Sequence, residues 1–183
     1  MQRRIFIRNT GISLAGIVLL RNQSFASFLP TQAWKIRMLT DDVGVFSEKG
    51  GTIGFLLSKD GIVVIDSQFP DTAPHVIEEI KKKNSNPLRF LINTHHHGDH
   101  TSGNIAFKGL VEHVVAHENS KANQQRVAIE QNKEDLQLLP DITFNGKGWS
   151  QVMDKEKIQT YYFGAAHTNG DSLIQFQESN IVH

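Results

Sequence analysis

Six consecutive residues, His95-His96-His97-Gly98-Asp99-His100, carry four imidazoles and one carboxylate. An apolar run, Leu88 to Asn93, precedes them and a glycine-containing turn follows, so the cluster lies at the end of a predicted strand. Nitrogen and carboxylate ligands at this density suit zinc, with iron or manganese as weaker candidates. If the stretch is extended, His95, His97 and Asp99 project to one side, because side chains alternate with a period of two. His100 then points elsewhere, as it would if it served a second ion. Gly98 gives the backbone room to bend around the cluster. A solvated polar loop or an accidental histidine tract is the plainer alternative. An expression tag is excluded by the internal position and the interleaved Asp99.

The longer run Thr94-His95-His96-His97-Gly98-Asp99-His100-Thr101-Ser102-Gly103-Asn104 resembles the signature of the metallo-β-lactamase-fold superfamily. A second block, Gly164-Ala165-Ala166-His167-Thr168-Asn169-Gly170-Asp171-Ser172, resembles that family's next metal-binding loop. A weaker third, Gly61-Ile62-Val63-Val64-Ile65-Asp66-Ser67, is similar to the strand whose terminal Asp supports the site. The blocks fall in family order over about residues 40 to 183. The resemblance implies that His95, His97 and His167 bind one metal and that Asp99 and His100 bind the second. It also implies an αββα sandwich, an α/β (α+β) fold whose second half is incomplete here. After the strand containing Ile181-Val182-His183, the family normally places a metal-bridging turn and a further strand-helix half with another metal-binding His. The chain is therefore expected to be a fragment or a truncated gene product.

The coarse pattern agrees with such a fold. Trp34 and Ile36 start a first sheet, and Val43 to Phe46 reads as a short strand. Thr52 to Ser58 and Ile62 to Ile65 are apolar strands joined by Lys59-Asp60-Gly61, a hairpin signal. Asp71 is placed to cap a helix over about residues 72–83, whose Ala73, Val76, Ile77 and Ile80 follow the helical period. Val111 to Ala116 reads as a strand, Ser120 to about Gln131 as a polar helix, and Leu136 to Gly148 as turns. Lys157 to Phe163 and Leu173 to Phe176 flank the His167 loop. A cluster at the C-terminal end of a buried strand is where α/β sheets usually place ligands.

The other histidines receive separate readings. His96 alternates away from His95 and His97, as a supporting or surface residue. His75 is expected to be exposed on the first helix, His113 has no evident partner, and His117 is expected to be structural. His183 reads as a strand residue, not a ligand. Asp66 either accepts the second N–H of a metal-bound His, fixing its tautomer, or is a simple turn residue. Thr168 and Asp171 shape the loop that presents His167.

A metal held by three imidazoles keeps its fourth position for water. Zinc lowers that water's pKa from about 15.7 to near 7. The first reading is thus a zinc-dependent hydrolase of a small-molecule ester, thioester, lactone or amide, β-lactams included, with Asp99 orienting or deprotonating the nucleophile. A second is an exported metal-binding protein without turnover. A third is a mononuclear-iron sulfur dioxygenase of the same fold. No phosphate cradle or serine-nucleophile motif accompanies the cluster.

Composition bounds the rest. The 183 residues suffice for one domain with a real core. Nineteen basic and 19 acidic residues give no electrostatic footprint for nucleic acid. The absence of cysteine excludes disulfides and thiolate ligands within this stretch. Residues 1–26 read as a signal peptide, with residues 27–183 as the metallo-β-lactamase-like domain. Arg3-Arg4-Ile5-Phe6 precedes an apolar stretch from Gly11 to Leu20 and a small-x-small site at Ser24-Phe25-Ala26. The paired arginines resemble a twin-arginine export signal, although Gln2 stands where Ser or Thr is usual. The apolar stretch is too short for a stable membrane span. These features imply a periplasmic or secreted protein. Replacing Arg3 and Arg4 together by Lys is expected to retain the protein in the cytoplasm. Fractionation of a bacterial host would detect this, and normal periplasmic yield would refute it.

Overall fold

Residues 34–183 are described by a computed structural model. The expected signal peptide, residues 1–26, lies outside the described residues. The hairpin signal at Lys59-Asp60 becomes a two-residue turn between β3 (Ile53–Ser58) and β4 (Gly61–Ile65), which pair antiparallel. Gly61 takes φ +131° there, a conformation that L side chains rarely adopt. Two shorter strands, β1 (Lys35–Met38) and β2 (Val43–Ser47), extend this antiparallel run to the sheet edge.

From β4 onward the sheet turns parallel. β5 (Leu88–Asn93), β6 (Val111–His117) and β7 (Ile142–Phe144) complete a seven-stranded sheet in simple chain order. Parallel neighbours need crossover connections. Helix α1 (Ala73–Lys83) follows β4. The short α2 (Gly98–Thr101) and a 3-10 segment, Ser102–Phe107, follow β5. Helix α3 (Glu118–Glu130) follows β6. A second, antiparallel sheet has the order β11–β10–β9–β8. Its strands are β8 (Ser150–Met153), β9 (Glu156–Tyr161), β10 (Leu173–Phe176) and β11 (Ile181–Val182).

Alternation divides the side chains of the large sheet between two cores. On one face, Val63, Ile65, Phe90, Ile92 and Val115 meet Met153, Ile158, Ile174 and Phe176 of the small sheet. On the other, Ile62, Val64, Leu91 and Val114 pack with Ala73, Val76 and Ile80 of α1 and with Phe107. This is why β4 is buried along its whole length and reads as an uninterrupted apolar run.

Several expectations are corrected. Asp71 does not cap α1. Thr72 occupies the N-cap without a side-chain cap bond, its hydroxyl accepting instead from the Phe69 N–H, while Asp71 pairs with Lys49. The polar helix starts at Glu118, two residues early, because the His117 ring accepts the Asn119 N–H as its cap. Strand β9 ends at Tyr161, short of Phe163. Strand β7 falls inside the stretch expected as turns, and β8 lies just beyond it. Asp141 at the start of β7 takes the Val114 N–H on its carboxylate, an anchor visible only in three dimensions. Among the described residues, no helix is long and apolar enough to cross a membrane.

Phe176 is 1% exposed between the sheets. Truncation to Ala removes aromatic area and leaves a cavity, so Phe176→Ala is expected to cost about 3–5 kcal/mol. Urea unfolding should show this as a lower midpoint, and an unchanged midpoint would contradict the inter-sheet placement.

Candidate metal centre

The site is built where the parallel strands end. Asp66 follows β4, and the residues Thr94 to His97 follow β5 through a series of bends. The extended alternation therefore stops before Asp99, which belongs to α2 with His97 as its N-cap. Asp99 and His100 are brought to the cluster by a helical turn, correcting the expectation that Asp99 shares a strand face with His95 and His97.

His95, His97 and His167 converge, each offering one ring nitrogen, all within 4.8 Å of one another. The nearest approach is His167 Nε2 to His97 Nδ1, 3.0 Å, across 70 residues of sequence. Their ring centroids lie 4.7 to 5.1 Å apart, with the planes close to perpendicular. Nε2 of His95 is buried and has no hydrogen-bond partner. Burial pushes the His95 pKa down to about 4, helped by the neighbouring His100 and opposed by Asp66. An orphaned nitrogen facing two other imidazole nitrogens is the donor set that a zinc-type ion accepts, so the residues present fit the metal that the fold implies.

Asp66 organises the surroundings. Its carboxylate is 1% exposed. It accepts the Thr94 N–H at 2.8 Å, the Thr94 hydroxyl at 2.7 Å and His100 Nδ1 at 2.8 Å. The Thr94 hydroxyl has one proton, and that proton goes to Asp66. Toward His95 Nδ1, 3.0 Å away, it can only accept. His95 therefore carries its proton on Nδ1 and presents a lone pair at Nε2. The carboxylate, first through its hydrogen bond, raises the His100 pKa against the effect of burial. Asp66 thus takes the supporting role toward a histidine of the motif, and the simple turn reading is discarded.

The backbone around Asp66 is held by several bonds. Asp66 and Gln68 both have left-handed φ, 64° and 54°, a conformation that costs non-glycine residues roughly 1 kcal/mol each. Ser67 N–H donates to His100 O, and Gly103 N–H donates to Gln68 O, both at 2.8 Å. A Cβ on Gly103 would lie 2.2 Å from Ser67 O, so this close approach requires glycine. Beneath lies a buried amide network. Asn104 Oδ1 accepts from Ser67 Oγ and Asn93 Nδ2, and Asn104 Nδ2 donates to Asn93 Oδ1.

The His167 loop is shaped as expected by Thr168 and Asp171. Asp171 accepts the Thr168 N–H and hydroxyl, and these bonds hold its carboxyl below the ordinary range despite burial. Ser172 N–H donates to Thr94 O at 2.9 Å, tying the two histidine-bearing loops together.

Asp99 and His100 are adjacent, with Oδ2 3.5 Å from His100 Nε2, and the Asp99 side chain is half exposed. His96 lies outside the three-histidine group, and burial lowers its pKa. His117 is structural, capping α3 and stacking on Tyr162. His75 is not simply exposed: it stacks on Trp34 and contacts Glu48. His113 has a partner after all, Asp141 at 2.7 Å. His183 pairs by backbone with Ile174, yet its Nε2 comes within 3.9 Å of Asp66 Oδ2. Nothing local in the sequence signalled that approach.

The sequence profile of the Metallo-beta-lactamase superfamily matches residues 48–182, and the chain belongs to that superfamily. A curated relative, the Metallo-beta-lactamase type 2 of Elizabethkingia meningoseptica, is 26% identical over 157 residues, covering 81% of this chain. The chain spans 59% of that relative's length. Among solved structures, a metallo-beta-lactamase from Pontibacter korlensis matches with TM-score 0.65 at 19% identity, over 81% of this chain and 69% of that one. The metallo-beta-lactamase IND-7 matches with TM-score 0.63 at 19% identity, over 83% and 70%. At such identity the likeness is one of fold, and it agrees with the expected αββα sandwich in partial form.

Asn tolerates the left-handed region, so Asp66→Asn should keep the backbone while removing the charge that His100 and Thr94 face. It is expected to lower affinity for added zinc about 10–100-fold with an unchanged far-UV spectrum. Competition against a chromophoric chelator measures this, and wild-type affinity would contradict the assigned role.

Proposed function

We propose that the chain carries the metal-binding portion of a zinc-dependent hydrolase acting on an ester, thioester, lactone or amide bond, β-lactams included. The observation supporting this reading is the unpartnered Nε2 of His95 beside the facing nitrogens of His97 and His167. In the proposal those three atoms hold one ion. When bound, zinc supplies Lewis acidity and makes water a usable nucleophile near neutral pH. Thr94 and Asp66 keep the His95 lone pair directed at Nε2. Asp99, half exposed at the edge of the cluster, orients the attacking water and takes its proton on Oδ2. Together with His100 Nε2 it is the chain's contribution to a second ion.

The superfamily membership and the name of the curated relative favour a hydrolase of a small molecule, and an amide of the β-lactam kind heads the candidates. Export through the twin-arginine-like segment would suit it, since such substrates act in the periplasm. A metal-binding protein without turnover and an iron-dependent sulfur dioxygenase are the competing readings.

His95→Ala and His167→Ala are each expected to reduce zinc affinity by more than about a hundredfold, beyond the loss from a supporting residue. Zinc content by elemental analysis, read with nitrocefin and thioester turnover, forms the test. Unchanged zinc binding in both variants would reject the site. Zinc binding without turnover of any substrate class would favour the non-catalytic reading, and a preference for iron with oxygen consumption the dioxygenase.

A further inference from the structure

Of the three converging histidines, His167 is the exposed one. Phe163, Ala165 and Ala166 before it are exposed too, so the core does not hold this stretch. The position of His167 must come from the residues that follow it. The bonds between Thr168 and Asp171 close the loop on itself. They set its shape and do not fix where it sits. Ser172 N–H ties its far end to Thr94 O.

Helix α3 supplies a seat nearer to His167. Asn119 and Asn123 lie one turn apart on one face of the helix. Asn119 Nδ2 donates to Asn169 O at 2.7 Å, and Asn123 Nδ2 donates to Asn169 Oδ1 at 2.6 Å. The Tyr162 hydroxyl donates to the same carbonyl at 3.2 Å, and the Tyr162 ring stacks on His117, the residue that caps α3. Gly170 is buried against the first turn of the helix. A Cβ there would lie 2.6 Å from Ser120 N, so the loop approaches α3 as closely as glycine allows. Asparagine is a poorer helix former than alanine. Asn119 and Asn123 are half-buried and Asn169 is exposed. Neither helix propensity nor core packing accounts for three asparagines meeting here.

Resting on the zinc-site reading above, we propose that Asn119 and Asn123 are positioning residues for the metal centre. By holding Asn169 they set His167 Nε2 against the nitrogens of His95 and His97. Both lie outside the three-histidine group and act through His167 alone. Without the two amides, the loop is released to positions where His167 falls outside the shared coordination sphere. A bound ion must then order the loop, and that ordering cost lowers affinity while the fold stays intact.

Combining Asn119→Ala with Asn123→Ala in the full chain removes both bonds and favours the helix. Zinc affinity, measured by competition against a chromophoric chelator, is expected to fall about tenfold, the lower end of the loss for partners of a ligand. The far-UV spectrum should be unchanged. In the metal-free protein, amide hydrogen exchange at residues 164–168 should quicken. In a His167→Ala background the same pair of substitutions should cost no further zinc affinity, because the route through His167 is already gone. A general loosening of the structure would cost the same in either background. Undiminished zinc affinity or unchanged loop exchange in the double variant, or an equal loss with and without His167, would overturn the proposal. No zinc binding by the unaltered chain, or binding indifferent to His167→Ala, would instead reject the metal site itself and the positioning role with it.

Discussion

A single buried carboxylate holds the site in register. Asp66 directly follows β4, and its two oxygens take up the first N–H and hydroxyl beyond β5 together with a ring nitrogen from α2. Removing a carboxylate from water is costly, and it is tolerable only when several donors replace the lost solvation. Three donors do so here. The same three bonds set the path of the loop carrying the histidine motif. Without them, the His95 tautomer would be free and His100 would lose the partner that aims its ring.

The second constraint is the sandwich itself. His97 and His167 are 70 residues apart in sequence, and each stands on a loop beyond the end of a strand. The inter-sheet core of Phe90, Ile92, Ile158, Ile174 and Phe176 fixes the two sheets against each other. The Ser172 N–H to Thr94 carbonyl bond then fixes the loops. Loops on a rigid scaffold are where binding residues concentrate. The left-handed backbone at Asp66 and Gln68 is a local cost that this core offsets.

What could be read from the sequence was whatever has a local signature. The histidine motif, the β3–β4 turn, the α1 stripe and the Thr168–Asp171 loop are each set by residues close in the chain. What could not be read depends on partners brought in from afar. Asp71 looks like a cap until Lys49 arrives from the β2–β3 loop. His113 looks unpartnered until β7 places Asp141 beside it. Strand alternation does not reach Asp99, because bends follow β5 and a helical turn begins at Gly98. β7 and β8 are three and four residues long, too short for periodicity to register against turn-rich surroundings.

The unpaired Nε2 of His95 separates what the fold requires from what the site requires. A sandwich of this kind needs apolar side chains between its sheets, and any buried polar atom that serves only packing would be expected to find a partner. His95 satisfies that rule at Nδ1, through Thr94 and then Asp66, and violates it at Nε2. The same chain of bonds that completes one nitrogen forces the other to remain a bare lone pair, pointed where His97 and His167 also gather. A packing role would be met more cheaply by an apolar residue of similar size. The histidine is therefore explained by chemistry at Nε2 and not by the core, and superfamily membership adds the fold without supplying that explanation.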